Sequence, residues 1–439
     1  MFAVKRGEIG KRFDVRFNNT PQIGGAIKFG VIITDIYRYP TFYGISYLDR
    51  GIPVIKGENI SRDGDWIKYS KIDFIDNETN AKFPRSILKE NDLVMTVRGE
   101  VGKVALVNKE LDGGNINANV IKISLSDSAY PAYVWRYLNS SIGKSQIRLQ
   151  LSGGVQETIT VSSINDIAII LPQYETQVKL ATELSLASQN CATKLRKADE
   201  LLAGMDGFVL KQLGIGDIPV QERITVGVTL GTLKSDNNIG AAYYHPERIA
   251  VIRAIENNSA VSTCRLADIV DFQRKTISAD NGEPYLGLAG VSSNTGELSG
   301  VEEEASGQAF EYQRGDVLYA RLRPYLNKIL YAETNGICST EFHVMRVKCN
   351  DVLPEYLSVI MRSKIIVSQT RHMMTGNTHP RISNDDVSNL RIPIPEKAVQ
   401  EKIVKEAVRR KVKARKFRYE AETEWIAAKE RFERELMEG

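Results

Sequence analysis

Twice along the chain the apolar positions switch from a strand-like to a helix-like period. Up to Pro172 they fall in short alternating or wholly apolar runs bounded by Gly, Pro, Asn and Asp. Beyond it Leu184, Ala187, Cys191, Leu195, Ala198, Leu202, Met205 and Val209 recur at three- and four-residue steps, a heptad seam. The switch repeats at Pro395, after which Ala407, Ala414, Phe417, Ala421, Trp425, Ala428 and Phe432 keep a similar spacing less regularly. Each proline closes an apolar run and has a Gln five positions later, in "LPQYETQ" and "IPEKAVQ". Gly204 and Gly207 weaken the end of the first helical stretch, and Gly214, Gly216 and Pro219 mark its stop and a linker.

The two halves read in parallel. "RFDVRFNN" (12–19) has a counterpart in "NIGAAYYHP" (238–246), and "GIPVIKGENIS" (51–61) in "GEPYLGLAGVS" (282–292). "NDLVMTVRGEVGKVALV" (91–107) faces "GDVLYARLRPYLNKILYA" (315–332), each a turn, a strand, a basic tip and a returning strand. "YPAYVWRYLNS" (130–140) and "LPEYLSVIMRS" (353–363) are Pro-started helices. "SGGVQETITVSSINDIAIILP" (152–172) and "TGNTHPRISNDDVSNLRIPIP" (375–395) are loops that lead into a buried strand. Landmarks kept in one order through both halves indicate duplication. The expected organisation is a globular α/β unit over 1–172, a helical spacer over 173–214, a second unit over 215–395 and a second helical spacer over 396–439. A helix of 39 residues would be about 58 Å long and would leave its seam bare. The two helices are therefore expected to pair with each other, antiparallel, carrying the units at opposite ends in inverted orientation.

Composition narrows the class. Hydrophobic content of 42% and charged content of 26% are those of a globular chain able to bury cores. No run approaches the roughly 18 apolar residues of a membrane span. "MFAVKRGEIGKRF" has no apolar core of a secretion signal, and four cysteines without CxxC spacing suit a reducing, cytoplasmic compartment. A net charge of +4 permits a nucleic-acid partner without requiring one.

No catalytic set emerges. His245, His343, His372 and His379 lack metal-ligand spacing, and no GxSxG elbow is present. "SSIGKS" has Leu138 where a phosphate loop requires its first Gly. Neither an FxGxG cofactor loop nor an NPPY-type tetrad occurs, so neither a catalytic residue nor a metal site is expected. The candidate binding residues are cations on the tips: Arg98 and Lys103 in the first half, Arg321, Arg323 and Lys328 in the second. Arg and Lys on a loop between strands suit phosphate contact, and Arg also grips guanine in a bidentate way. Asn377, His379 and Arg381 in the loop before the last strand, and Gln156 and Thr158 at the equivalent place, are candidate base readers; a plain turn accounts for each equally well. "RRKVKARKFR" (409–418) suits phosphates or an acidic partner, but a solvated face of a long helix is the commoner reading. The Glu residues at 420, 422 and 424 offer it intrahelical partners.

"GDVLYARLRPYLNK", "RGEVGKVALV" and the doubled Pro-x4-Gln start of a long helix resemble the specificity subunits of type I restriction-modification systems, over essentially the whole chain. The resemblance implies two target recognition domains, each reading half of a split double-stranded DNA sequence. It implies an antiparallel coiled coil that separates them and docks two methyltransferase subunits, where S-adenosylmethionine binds. Motor-nuclease restriction subunits are further partners in that family, and no membrane is involved. It implies no catalysis by this chain. Two other classes stand against it: a stand-alone DNA-modifying enzyme or nuclease with duplicated recognition domains, and a coiled-coil adaptor that binds proteins only. The helix starts depart from the family's usual Pro-rich form with a Glu-Gln pair, which bears on how partners dock.

Overall fold

The computed structural model describes residues 23–39, 45–61, 67–152, 157–216, 227–236, 239–241, 243–279, 284–305, 307–374 and 378–438. They divide into two units, Met1–Thr193 with Glu420–Gly439, and Lys194–Tyr419. The counterpart segment 12–19 and Pro219 lie outside the described residues.

In the first unit the strands are β1 (Ala26–Lys28), β2 (Ile33–Arg38), β3 (Ile52–Ile55), β4 (Asp73–Ile75), β5 (Leu93–Thr96), β6 (Val104–Leu106), β7 (Asn115–Ile116), β8 (Val120–Leu125) and β9 (Ala168–Ile170). The helices are α1 (Asn77–Ala81), α2 (Pro131–Asn139), α3 (Ser141–Leu149), α4 (Val161–Asn165) and the start of α5 (Tyr174–Ala203). An antiparallel sheet has the order β2-β8-β5-β6, a second β4-β3-β7, and β1 pairs with β9. All four β5 side chains are buried because its sheet is covered on both faces. Leu93 and Met95 join Tyr133 and Tyr137 of α2 in one core, while Val94 joins Ile55 and Ile116 of the second sheet in another. Successive strand residues point to opposite faces, so a wholly apolar run is the signature of this layered arrangement.

The second unit repeats the plan. It adds α6 (Met205–Gln212), α7 (Leu230–Asp236), α8 (Pro246–Glu256), β10 (Ser262–Arg265), α9 (Leu266–Ile269), β11 (Val270–Gln273), β12 (Thr276–Ser278), β13 (Tyr285–Leu286), β14 (Gln308–Tyr312), β15 (Val317–Ala320), β16 (Ile329–Tyr331), β17 (Gly336–Ser339), β18 (Phe342–Val347), α10 (Pro354–Arg362), α11 (Lys364–Thr370), α12 (Asn384–Ser388), β19 (Arg391–Ile394) and α13 (Lys397–Glu438). The sheet β11-β18-β15-β16 reproduces β2-β8-β5-β6, and β10-β19 reproduces β1-β9. The parallel pair β3-β7 recurs as β13-β17 within β12-β14-β17-β13. Val317 and Tyr319 face the helices, and Leu318 and Ala320 face the second sheet.

The repeated Pro-x4-Gln is a clamp. Gln177 Nε2 donates to the carbonyls of Pro172 (2.8 Å) and Ser128 (3.1 Å), and its Oε1 accepts from the Tyr130 amide at the start of α2 (2.8 Å). Gln400 makes the same three bonds, to Pro395 (2.9 Å) and Asp351 (2.7 Å) and from Leu353 at the start of α10 (2.9 Å). Alongside, Tyr133 and Tyr356 each donate a 2.7 Å bond to the last strand, at Ile170 and Pro393.

In the first unit Leu180, Ala181 and Leu184 of α5 share a core with Phe432 and Leu436 at the end of α13. In the second, Val209 of α6 shares one with Ile403 and Ala407 near the start of α13. The long helices are therefore antiparallel. Their seam is narrower than the sequence pattern, since Leu195 is 41% exposed while Ala198, Ala414 and Ala421 are buried. The α5–α6 break falls at Gly204, where Arg410 of α13 reaches in to donate to the Leu201 carbonyl (3.1 Å). A Cβ on Gly204 would stand 2.8 Å from that guanidinium. Gly143, in the "SIGKS" run, likewise belongs to packing, because a Cβ there would strike the Tyr137 carbonyl. Among the described residues no helix is long and apolar enough to cross a membrane.

Changing Gln177 or Gln400 to Ala strands one buried N–H and two carbonyls. Each substitution is expected to cost about 1–3 kcal/mol, read as a lowered urea midpoint at unchanged slope. An unmoved midpoint would show that the clamp contributes nothing.

Candidate nucleic-acid interface

In the second unit the hairpin tip between β15 and β16 is stitched to the loop before α12. An isolated bridge joins Leu322 to Arg381, and the Arg323 amide donates to the Pro380 carbonyl (2.7 Å). Arg321, Arg323, His379 and Arg381, chosen from separate segments, are thus brought together. Glu341 organises them. Its carboxylate accepts from Arg381 Nη2 (2.7 Å) and Nε (3.1 Å), and Arg321 Nε lies 4.0 Å away. The Arg381 bond, more than Arg321, holds the Glu341 carboxyl below the usual carboxylate range against the opposing effect of burial. Arg323 sits in the left-handed region at φ 49°, and its exposed guanidinium makes no ion pair or hydrogen bond among the described residues.

Beneath this tip lies His343 of β18, buried against Tyr319 and Phe272. Burial, with Arg321 nearby, pushes its imidazole down to about 4, so it is neutral at physiological pH.

In the first unit Arg98 is exposed on the tip between β5 and β6, beside a depression of about 330 Å³. Lys56, Asn117 and Asn119 line it too. The sequence pattern did not single these out, because they come from the loops after β3 and β7. Thr158 closes a small loop through two backbone bonds with Ser152 (2.9 and 3.0 Å). No hydrogen bond or ion pair joins it to Arg98 among the described residues. Gln156 and Asn377 lie outside the described residues.

The lysines of the two tips are equivalent and inward-turned. Lys103 Nζ donates to the Gly57 carbonyl (2.6 Å) and pairs with Glu100 (3.1 Å), and Lys328 Nζ donates to the Leu288 carbonyl (2.7 Å). Both acceptors follow the parallel strand, β3 or β13. These cations hold the tip to its neighbouring loop.

The basic run of α13 keeps much of the solvated face the sequence favoured, with Arg409, Lys413, Arg415 and Lys416 exposed, while Arg410, Lys411 and Arg418 are half-buried against the protein. Arg415 (2.6 Å) and Arg418 (3.2 Å) bind Glu297, whose side chain is 7% exposed, and Lys411 donates to the Gly296 carbonyl (2.9 Å). Arg409 and Arg410 bind Glu406, one turn upstream on the same helix. Burial pushes Lys411 down to about 8 and the neighbouring Arg362 to about 10.

Two layered units are built on one plan, and each presents a basic tip. The family model for the type I restriction modification DNA specificity domain matches residues 47–201 and again 258–406, and the chain belongs to that family. It is 24% identical over 262 residues to the type I restriction enzyme EcoDI specificity subunit of Escherichia coli, covering 56% of this chain and 55% of that protein. It is 31% identical over 113 residues to the HindI specificity subunit of Haemophilus influenzae, covering 25% of each. The matches thus span about half or less of these relatives' length. A solved type I restriction-modification S subunit from M. genitalium aligns over 94% of this chain and 95% of its own at 13% identity, with a TM-score of 0.47.

The buried His343 sets a pH dependence. Its folded pKa lies below the unfolded value of 6.5, so its contribution is fully present above pH 6.5 and declines as pH falls towards 4. A His343→Gln variant should therefore show a flatter loss of urea stability between pH 6.5 and 4 than the parent. Equal slopes would mean that the imidazole is accessible to protons in the folded state.

Proposed function

We propose that this chain is the DNA-reading subunit of a type I restriction-modification assembly. Residues 1–172 and 215–395 act as target recognition domains, each reading one half of a split double-stranded sequence. The helical segments 173–214 and 396–439 act as spacer and as the docking surface for two methyltransferase subunits. Those partners bind S-adenosylmethionine and transfer the methyl group; motor-nuclease subunits join where the system also cuts. The chain itself is non-catalytic and works in the cytoplasm. The observation that carries the reading is the double match to the specificity-domain family, one on each repeat. Reading is assigned to Arg98 in the first unit and to Arg321, Arg323, His379 and Arg381 in the second, with Gln156, Thr158 and Asn377 as further candidate base readers. Lys103 and Lys328 serve the same surface by fixing its backbone. Asn119 offers a paired donor and acceptor suited to base edges, on a turn fixed by Asn117, whose Oδ1 accepts the Asn119 amide (3.1 Å).

The direct test is methylation mapping in cells that carry the partner methyltransferase. Replacing residues 1–172 by the matching segment of another family member should change one half of the methylated sequence and leave the other intact. A change in both halves would refute independent readers. The purified chain alone should incorporate no methyl group from a labelled donor, whereas a stand-alone modifying enzyme would.

Arg98→Ala and Arg323→Ala are each expected to weaken duplex binding by about 1–3 kcal/mol if the side chain reads a base. If it contacts phosphate instead, the slope of log affinity against log salt should drop by about one. Titrations at several salt concentrations separate the two, and unaltered binding by folded variants would remove the tips from the interface.

A further inference from the structure

Outside the tips, the second unit gathers three metal-type donors from segments far apart in sequence. His245 caps the start of α8, Glu247 stands in its first turn, and His372 follows the end of α11. One donor atom from each lies within 4.8 Å of the others, and His372 Nε2 is 2.9 Å from Glu247 Oε2. The imidazoles of His245 and His372 are stacked, with centroids 3.4 Å apart and planes 17° from parallel. All three residues are half-buried, which leaves a path from solvent.

We propose that His245, Glu247 and His372 form a binding site for one divalent zinc-type ion, with water as the fourth ligand. Two imidazoles and one carboxylate match the open tetrahedral zinc set, whose bonds are about 2.0–2.2 Å and whose donors lie about 3.3 Å apart. Closing 4.8 Å to that distance requires the two imidazoles to turn out of their stack about their side-chain bonds, so that both in-plane lone pairs converge on the ion. His245 Nδ1 is taken up in capping α8, where it accepts the Glu247 amide (3.3 Å), so its Nε2 is the donor that faces the cluster. The outer contacts also fit. Arg371 Nη1 holds the other Glu247 oxygen (3.2 Å) and Ser368 bonds the same carboxylate, so the ligand is already oriented. Arg371 is a cation close to the proposed metal, but its side chain is 57% exposed and it sits on the carboxylate oxygen away from His372. The ion would fasten the start of α8 to the end of α11, just ahead of the loop that carries His379 and Arg381.

The test uses the untagged, full-length protein, stripped with chelator and titrated with Co²⁺ alone. Expected is a visible tetrahedral d–d band that saturates at one equivalent, lacks thiolate charge-transfer intensity, and is abolished by Zn²⁺. Zn²⁺ should also raise the thermal midpoint, because a ligand that binds only the folded state stabilises it. His245→Asn keeps a helix-capping side chain and deletes one donor. That variant and His372→Gln, with unaltered circular dichroism, should each weaken Co²⁺ binding at least tenfold. The site is overturned if the parent binds no stoichiometric Co²⁺, if thiolate bands dominate, or if both folded variants bind as tightly as the parent. None of these readouts passes through DNA binding, so the result stands apart from the proposed function.

Discussion

Each unit depends on one buried amide. Gln177 is 1% exposed and Gln400 is fully buried, and each ties a strand end, a loop and a helix start to the first turns of a long helix. The geometry demands a side chain that donates twice and accepts once. A carboxylate of the same length would only accept, leaving two carbonyls unpaired, and Asn is one methylene short. Because the bonded groups are all main chain, the clamp fixes the direction in which the long helix leaves its sheet. It does so whatever side chains surround it. The apolar seam continues from that point and inherits its phase.

The hairpins β5–β6 and β15–β16 were legible as a strand, a tip and a returning strand, whereas the second sheet that covers β5 and β15 was not. A strand covered on both faces buries every side chain, and in "LVMT" and "VLYA" all are apolar or aromatic except Thr96, whose hydroxyl is bonded to the Glu100 carbonyl and the Lys103 amide. The nine-residue helices α2 and α10 were legible from their leading prolines, and the α5–α6 break from a glycine. Leu195 was misplaced for a physical reason. Heptad periodicity specifies a stripe, but alanines at 198, 414 and 421 narrow the contact to small side chains, so a neighbouring leucine can remain in solvent.

Charges were harder to read, because their partners are set by the fold and not by spacing. Glu297 lies more than a hundred positions from Arg415 and Arg418, yet its buried carboxylate pairs with both. A buried carboxylate left alone would be costly, so Arg415 and Arg418 answer an internal demand before they meet any ligand. The same holds at the second tip, where Glu341 claims Arg381. The His245–Glu247–His372 cluster was invisible for a similar reason: its members reach one place only after α8 and α11 pack together. By contrast, Arg98 and Arg323 stay exposed, since a tip between strands leaves little else for them to touch.

The anchoring of the tips through Lys103 and Lys328 has an evolutionary consequence. Both amino groups grip backbone carbonyls, which every residue supplies. The shape of the tip is therefore held by bonds that do not depend on the identity of the side chains displayed on it. Substitutions at positions such as 98 or 323 can accumulate without disturbing the loop that presents them. A fold built this way acquires new sequence preferences by point changes at its surface, while selection for stability acts on a separate, inward-facing set of residues.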